Sequence, residues 1–393
     1  MTTSFDLDAL RAETPGCAHR LHLNNAGAGL MPQPVIDAVT DHISLEARIG
    51  GYEAMADQRD AHEAIYASIA GMIGAGADEI ALVENATVAW QRAFYAFRFA
   101  EGDRILTARA EYAANYIAYL QVARQTGCVI EVIPDDASGA TDPAALDAMI
   151  DGRVKLISIT WIPTNGGLVN PAAEIGRIAR AHGIPYLLDA CQAAGQMPIE
   201  VDEIGCDFLS VTGRKFLRGP RGTGFLYASR SMLERVEPPM LDLFAARWSA
   251  PDSYELRPDA RRFEVWESAP AMRLGLGAAA DYAVRIGLEA IRQRAWGLAA
   301  QLREELAGLP GISVYDAGET RCAIVTFAHD SVSAEEIIAG LSAEGINVSS
   351  STPSSTLLDA THRKLPTVVR ASPHYYNTEE ELERFLRVLG TLI

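Results

Sequence analysis

An aspartate and a lysine, each placed after an apolar run, are the residues best suited to chemistry in this sequence. Asp189 follows residues 184–188, and Lys215 comes shortly after residues 208–211. Both runs are predicted to be buried strands, and open α/β sheets place their ligands at the carboxyl ends of such strands. A carboxylate there suits the protonated nitrogen of a pyridinium ring, or else it only caps the next helix. A lysine in a loop rich in glycine and proline is by itself more often a solvated turn residue.

The neighbours of Lys215 favour a binding role for its loop. Thr212 and Arg214 supply a hydroxyl and a cation, both of which suit a phosphate group. The glycines that follow allow the backbone to approach a ligand closely. We therefore expect Asp189 and Lys215 to serve one ligand at one edge of a sheet.

Alternating helical and strand patterns from about residue 60 to residue 230 position these two residues. Strands buried on both faces and separated by helices of this length indicate a parallel α/β sheet. The predicted strands are residues 80–83, 128–133, 155–162, 184–188, 208–211 and 224–227. The predicted helices are residues 61–73, 114–125 and 171–182.

The rest of the chain predicts a second, smaller unit. Residues 234–262 are irregular and look like a surface excursion, and residues 274–306 have the period of one long bridging helix. The elements predicted beyond it are strand–turn–strand (311–328), helix (333–344), strands (346–349 and 368–372) and helix (378–389). We predict an N-terminal segment (1–19), a large domain (20–275) and a small α+β domain (276–393), within the usual range of domain sizes.

Composition excludes several classes of protein. The chain has 51 acidic and 34 basic residues and a net charge of -17, which argues against a nucleic-acid partner. No run of about 18 apolar residues and no signal peptide is found, so no membrane partner is expected. The five cysteines are scattered and never spaced C-x-x-C. We expect no metal site and a reduced, cytoplasmic protein.

The segments LLDACQA and SVTGRKFLRGPRGTGFLY, which hold Asp189 and Lys215, resemble the class V aminotransferase and cysteine-desulfurase group. The resemblance extends to LHLNNAGAGLMP near the start, to residues 110–115 and to residues 369–377. Residues 49–53, the lysine loop and the RASPHYYNT ending are most similar to hercynylcysteine sulfoxide lyase-like and isopenicillin-N-epimerase-like members. The resemblance implies fold type I, with a mostly parallel sheet flanked by helices plus a small α+β domain. It also implies pyridoxal phosphate (PLP) as the cofactor.

The resemblance implies roles around this cofactor. Lys215 would form the Schiff base and then shuttle protons, since the pKa of a lysine falls in a desolvated site. Asp189 would pair with the pyridine nitrogen, and Gln192 and Asn165 with the ring oxygen, although Asn165 could equally be a turn residue. A helix start suits the phosphate, although its threonine could merely cap the helix. The residues assigned to the phosphate are Ala86, Thr87, Val88, Thr212 and Arg214.

An amino-acid-like substrate is implied in the same way. Arg370 would hold the substrate carboxylate in a bidentate fork, although an isolated arginine is usually a surface residue. Asn25 and Ala26, in the opening segment, are also assigned to the substrate.

Two further assignments concern the cofactor ring and the partner subunit. The histidine that stacks on the ring in many relatives is matched most nearly by Ala113, so the adjacent Tyr112 is the candidate, or it only packs. Residues 262–268 correspond to a piece that often completes the partner's phosphate site, with Ser268 as the candidate here. The resemblance thus implies a homodimer with active sites at the subunit interface.

One departure from the family pattern narrows the activity. Desulfurases of this kind keep a cysteine in the loop before the last strand, to accept sulfur as a persulfide. Residues 349–357 contain no cysteine, and Cys322 is predicted to belong to the core. A hydroxyl cannot carry a persulfide, so desulfuration by that route is disfavoured.

Three functions are therefore considered. The first is a β-eliminating C–S lyase, in which Lys215 removes the α-proton and a sulfur leaving group departs from Cβ. The second is an aminotransferase or epimerase, which begins with the same proton abstraction. The third is a degenerate, non-catalytic PLP-binding protein, which the retention of both Asp189 and Lys215 disfavours.

Overall fold

The computed structural model describes residues 5–393, so the first four residues of the predicted segment 1–19 lie outside the described part. Its strands are β1 (Leu21–His22), β2 (Ile80–Val83), β3 (Arg104–Thr107), β4 (Val129–Val132), β5 (Val154–Thr160), β6 (Tyr186–Asp189), β7 (Phe208–Thr212), β8 (Gly224–Ala228), β9 (Ala246–Ala250), β10 (Ser253–Leu256), β11 (Ile312–Val314), β12 (Val325–His329), β13 (Ile346–Asn347), β14 (Ser349–Ser351) and β15 (Val368–Ala371).

The described residues form fifteen α-helices, of which four were predicted to within two residues at each end (61–73, 114–125, 171–182 and 333–344). They are α1 (Leu7–Ala12), α2 (Gln33–Ile49), α3 (Gly51–Asp57), α4 (Arg59–Ile73), α5 (Ala86–Phe94), α6 (Ala113–Thr126), α7 (Pro143–Met149), α8 (Ala172–His182), α9 (Val201–Ile204), α10 (Arg230–Leu233), α11 (Pro270–Ile286), α12 (Leu288–Ala307), α13 (Ala334–Ala343), α14 (Leu357–Arg363) and α15 (Glu379–Leu392). No helix among residues 5–393 has both the length and the apolar character needed to cross a membrane.

A seven-stranded sheet in the order β2-β8-β7-β6-β5-β3-β4 forms the centre of the molecule. The five strands from β3 to β7 all run parallel to one another, which confirms the predicted α/β class with a mostly parallel sheet. The prediction that β8 is parallel is wrong, because β8 runs antiparallel to both β2 and β7. The reason is the short connection at residues 213–223, since a parallel crossover usually needs a dozen or more residues.

The sheet is covered on both faces. Successive residues of β6 and β7 alternate between two hydrophobic clusters: Leu187 and Phe208 lie in one, and Leu188 and Leu209 in the other. Because side chains of a strand point alternately to opposite faces, both faces must be packed against other elements. Packing on both faces thus fixes the position of these strands, and with it the position of the polar residues at their carboxyl ends.

Two predictions about the middle of the chain are wrong. Residues 234–262 are not wholly irregular, because β9 and β10 form an antiparallel hairpin within them. The single helix predicted at 274–306 is two helices, separated at Gly287, whose φ of +94° no ordinary helix residue adopts.

The C-terminal part contains an antiparallel sheet in the order β11-β12-β15-β14, with α13 packed against α15. The predicted strand 346–349 is interrupted, because β13 pairs in parallel with β1 while β14 pairs with β15. Residues near the start of the chain thus pair with residues near its end. The domain boundaries given above remain a prediction.

Arg218 ties the lysine loop to both ends of the chain. It is 2% exposed, with φ +63°, and donates to the carbonyl of Leu30 (2.6 Å), to Thr14 Oγ1 (2.7 Å) and to the hydroxyl of Tyr375. Its guanidinium carbon also lies 4.5 Å from the centre of the Tyr376 ring, a favourable cation–π distance. These contacts fix the loop that carries the catalytic candidate.

Glycine backbones pack against the same loop from two sides. Gly29 donates its N–H to the carbonyl of Arg214 at 2.8 Å. Gly195 has φ +87°, and a Cβ atom there would lie 2.3 Å from the backbone nitrogen of Leu217. No side chain fits at Gly195 without moving the lysine loop.

We expect Gly195→Ala to destabilise the protein by more than about 2 kcal/mol, since left-handed strain and a backbone clash act together. Gly183→Ala is the matched control: φ there is +67°, but nothing lies within 4 Å of the added Cβ. The control should lose only about 1 kcal/mol, from strain alone. Urea unfolding of both variants measures the difference, and equal losses would contradict the packing explanation.

Candidate active site

A cavity of about 460 Å³ opens at the carboxyl edge of the central sheet. It is lined by residues from the ends of β5, β6 and β7 and from the start of α5. The lining residues are Glu84, Asn85, Ala86, Thr87, Val88, Tyr112, Asn115, Thr160, Ile162, Thr164, Asp189, Cys191, Gln192, Thr212, Arg214, Lys215, Arg221 and Gly222. The structure therefore brings Asp189 and Lys215 to one site, together with most of the predicted cofactor residues.

Asp189 ends β6 as a buried carboxylate that is 5% exposed. Its Oδ1 accepts the backbone N–H of Cys191 at 2.9 Å, and its Oδ2 accepts from Asn115 Nδ2 at 3.0 Å. Burial raises the pKa of Asp189, while these two donors and the charge of Lys215 oppose the rise. The site thus provides a carboxylate whose charge is supported from the protein side.

Glu111 stands behind Asp189 and was missed by the sequence reasoning. Its Oε1 accepts from Asn115 Nδ2 and from the backbone N–H of Tyr112, both at 2.9 Å. The side chain is 3% exposed, and burial raises its pKa to about 7. No local pattern singles it out, because Glu111 precedes the start of α6 and its further partners Thr107 and Thr160 lie at the ends of β3 and β5.

The start of α5 supplies the backbone groups predicted for a phosphate. Asn85 caps this helix by accepting the N–H of Val88 at 3.0 Å, which leaves the N–H groups of Ala86 and Thr87 without intrahelical partners. Thr212 and Arg214 line the same cavity. Helix N–H groups, a hydroxyl and a guanidinium suit a phosphate dianion.

Arg370 is a buried cation beside the cavity. It is 8% exposed and donates to Thr164, whose side chain lines the cavity, while its Nε has no hydrogen-bond partner. Burial and the nearby charge of Arg214 lower the pKa of Arg370 to about 10, so it is charged at neutral pH. Within residues 5–393 it forms no ion pair, which leaves it available to an anion.

Three predicted contacts are not seen at the cavity wall, because the polar groups are engaged elsewhere. Asn165 donates to the carbonyl of Thr352 at 3.2 Å and accepts from Ser351. Asn25 donates to the carbonyl of Ser372 at 2.8 Å and accepts from Tyr376 at 2.5 Å. Ala26 donates to Ser372 Oγ at 2.9 Å and accepts from Gln192 at 3.3 Å. These residues lie behind the side chains that line the cavity.

Ser268 lies outside the cavity of its own chain. It lines a second cavity of about 780 Å³ with Tyr52, Met55 and Trp266. Its assignment to a partner subunit therefore stays a prediction.

The thiols differ in their access to the site. Cys322 is fully buried, as predicted for a core residue. Cys191 lines the cavity, and burial raises the pKa of its thiol against the opposing charge of Lys215. A thiol with a raised pKa is a poor nucleophile at neutral pH. Residues 349–357 form β14, a 3₁₀ turn and the start of α14, and supply only hydroxyl groups.

The residues present fit PLP. Gln192 Oε1 is buried in the cavity region without a hydrogen-bond partner, as expected of a group that awaits a ligand. An amine (Lys215), a carboxylate (Asp189) and a phosphate-type cradle at α5 surround the same space. Tyr112, 39% exposed, supplies an aromatic ring at the cavity wall.

Comparisons with known proteins agree with this geometry. The family model described as Aminotransferase class-V matches residues 21–385. A probable cysteine desulfurase of Xylella fastidiosa (strain Temecula1) is 32% identical, over 98% of this chain and 95% of its own length. The apo cysteine desulfurase from Thermococcus onnurineus NA1 superposes with a TM-score of 0.91 at 26% identity, covering 98% of both chains. The cystine C–S lyase C-DES, solved with its product cysteine persulfide, has a TM-score of 0.86 at 23% identity over 96% of this chain and 99% of its own, a likeness of fold.

His374 is a buried histidine that contacts the backbone of the lysine loop. Its Nε2 donates to the carbonyl of Phe216 at 2.8 Å, and burial lowers its pKa from 6.5 to about 3. Between these values the unfolded chain binds a proton that the folded protein does not. Stability should therefore fall as the pH drops from 6.5 toward about 3, by on the order of 5 kcal/mol in total.

We expect His374→Gln to lose part of this acid sensitivity, because an amide can still donate to Phe216 but does not titrate. The exposed His19→Gln serves as the control and should keep the wild-type slope. The measurement is the free energy of unfolding against pH on cofactor-free protein. An unchanged slope in His374→Gln would refute the assignment.

Proposed function

The chain belongs to the aminotransferase class-V family of PLP-dependent enzymes, and on that premise we propose that it is a β-eliminating C–S lyase for an amino-acid-like substrate. The single observation that carries the choice is residues 349–357, which lack a cysteine while the rest of the cofactor site is retained. When bound, PLP stores the electron pair released at the substrate's Cα. The chain's own residues must then bind, orient and move protons.

Lys215 is the proposed base for the substrate's α-proton. It lies in the cavity with Asp189, whose carboxylate would keep the ring nitrogen protonated. Its neighbours limit where it can act, because Gly29 and Gly195 hold the loop backbone on both sides. A base fixed in this way transfers a proton at one defined atom.

Arg370 is the proposed anchor for the substrate carboxylate. A buried guanidinium without a carboxylate partner costs free energy until an anion binds. Its bond to Thr164 orients the fork toward the cavity that Thr164 lines. A substrate held by its carboxylate places Cα near the same end of the cavity as Lys215.

The absence of a cysteine from residues 349–357 bears on how the sulfur leaves the substrate. In desulfuration an enzyme cysteine takes the sulfur atom, and neither Ser351 nor Thr352 can do so, while Cys191 has a raised pKa. In elimination no thiol is required: Lys215 takes the α-proton, the Cβ–S bond breaks with its electron pair on sulfur, and water releases pyruvate and ammonia. A thioether or sulfoxide of cysteine fits this chemistry.

Transamination and epimerisation remain the alternative within the same family. Both begin with the same proton abstraction and differ in where the proton returns. The family's name favours them, whereas the absence of a cysteine from residues 349–357, with the rest of the cofactor site retained, favours elimination. A non-catalytic role is disfavoured because the amine and the carboxylate line one cavity.

Product analysis separates these reactions. We expect S-substituted cysteines or their sulfoxides to yield pyruvate and ammonia without any keto acid. Lys215→Ala is the control and should lose both activity and the visible absorption of the bound cofactor, which borohydride also quenches. Amino transfer that requires a keto acid would identify an aminotransferase, and alanine formed from L-cysteine would identify a desulfurase.

The proposed assembly is a homodimer. Tyr52, Met55 and Trp266 are 74%, 40% and 52% exposed and line the second cavity, which also contains Ser268. Large apolar side chains grouped on a surface are typical of an interface. A second copy of this chain is the proposed occupant.

We expect sedimentation to show a dimer that dissociates on dilution in Tyr52→Glu, because a charge would be buried at the interface. Val129→Glu is the matched control, since Val129 is 41% exposed on the edge strand β4 and does not line the second cavity. A wild-type monomer at micromolar concentration, or equal behaviour of both variants, would contradict this interface.

A further inference from the structure

Asn115 joins two buried carboxylates at the back of the cavity. Its Nδ2 lies 2.9 Å from Glu111 Oε1 and 3.0 Å from Asp189 Oδ2, so both of its N–H groups are used. All three residues are buried, with at most 5% exposure. The proposed reaction uses only Asp189 of the three.

Glu111 accepts hydrogen bonds on both of its carboxylate oxygens. Besides Asn115 and the N–H of Tyr112, it accepts from Thr107 Oγ1 at 3.0 Å and from Thr160. Donors that converge on a buried carboxylate stabilise its ionised form, whereas burial and a like charge oppose it. Burial is the larger effect here and raises the pKa of Glu111 to about 7.

The surroundings of Glu111 contain acids and phenols but no paired cation. The titratable groups that face it are Asp189 and Tyr186 from β6 and Tyr119 from α6. Among residues 5–393, no lysine, arginine or histidine forms an ion pair with it. Glu111 is linked to Asp189 through the donor that they share, Asn115.

Glu111 also fixes which way the Asn115 amide points. An asparagine amide can present either its NH₂ group or its oxygen, and only NH₂ can bond to two carboxylates. Without an acceptor at Glu111, the amide oxygen could face Asp189 and repel it. Glu111 thus controls a donor on which the charge of Asp189 depends.

We propose that Glu111 is a positioning residue of the cofactor site, which acts through Asn115 to orient Asp189 and to strengthen its hold on the protonated ring nitrogen. Glu111 is not among the residues that line the cavity. The proposal rests on the role given to Asp189 and is independent of which substrate bond breaks.

The test is Glu111→Gln in the PLP-loaded enzyme, followed by the visible absorption of the bound cofactor against pH. Removing the negative charge of Glu111 should lower the pH midpoint of the absorption change by about one unit. The reason is that less negative charge then stabilises the protonated form of the bound cofactor. We expect kcat to fall roughly tenfold while KM changes less than about twofold, since substrate contacts are retained. Fluorescence-monitored PLP binding should weaken in parallel.

Two further variants complete the experiment. Thr107→Val keeps the shape of a buried residue that does not line the cavity but removes one donor to Glu111, so its midpoint should shift in the same direction by less. This variant also serves if Glu111→Gln does not fold. Asp207→Asn is the matched control: Asp207 accepts the N–H of Tyr186 at 2.9 Å at the other end of β6, and its loss should leave the midpoint unchanged.

The outcomes are distinguishable. Wild-type midpoints and kcat in folded Glu111→Gln and Thr107→Val would overturn the inference, whatever reaction the enzyme catalyses. A wild-type protein without any visible cofactor absorption would instead overturn the assignment of Lys215 and Asp189. An equal shift in Asp207→Asn would show that Glu111 acts only through general stability, and would also overturn the inference.

Discussion

The burial of a negative charge at Asp189 is the constraint on which the rest of the site depends. A carboxylate removed from water is costly unless donors surround it, so the fold must supply them at the end of β6. It does so with a backbone N–H and with Asn115, while Lys215 contributes a favourable charge. The start of α6, where Asn115 lies, and the turn after Asp189 are therefore tied to one electrostatic requirement.

A second constraint concerns buried arginines that have no carboxylate partner among the described residues. Arg218 and Arg370 are both buried, yet they serve opposite purposes. Arg218 is satisfied by a carbonyl, two hydroxyls and aromatic faces, and holds the lysine loop in place. Arg370 keeps an unpartnered Nε beside the cavity. The first cation is structural, whereas the second is left ready for a ligand.

Local patterns predicted much of the fold, because periodicity and glycine stops act over short distances. The helix ends at Gly74, Gly127 and Gly183 were found from such stops, and all three have positive φ. The direction of β8 was not predictable from its apolar pattern, since only the length of the lysine loop decides it. Asp189, Lys215 and the start of α5 were found because each follows a strand. Glu111 was missed because its role depends on contacts with β6 that are distant in sequence, and for the same reason the hydrogen bonds of Asn25 and Asn165 to the C-terminal part were not predicted.

The pairing of β1 with β13 has a consequence for how the enzyme is made. His22 and Asn347 bond across 325 positions of sequence, and Asn25 bonds to Ser372 near the chain's end. The residues that line the cavity all lie between positions 84 and 222 and can assemble with the central sheet, whereas Arg370 and the bonds of Asn25 to Ser372 require almost the whole chain. Such distant contacts form late, since loop closure costs entropy before it gives contacts. The buried Arg370 is thus expected to reach its place beside the cavity later in folding than the residues that line it.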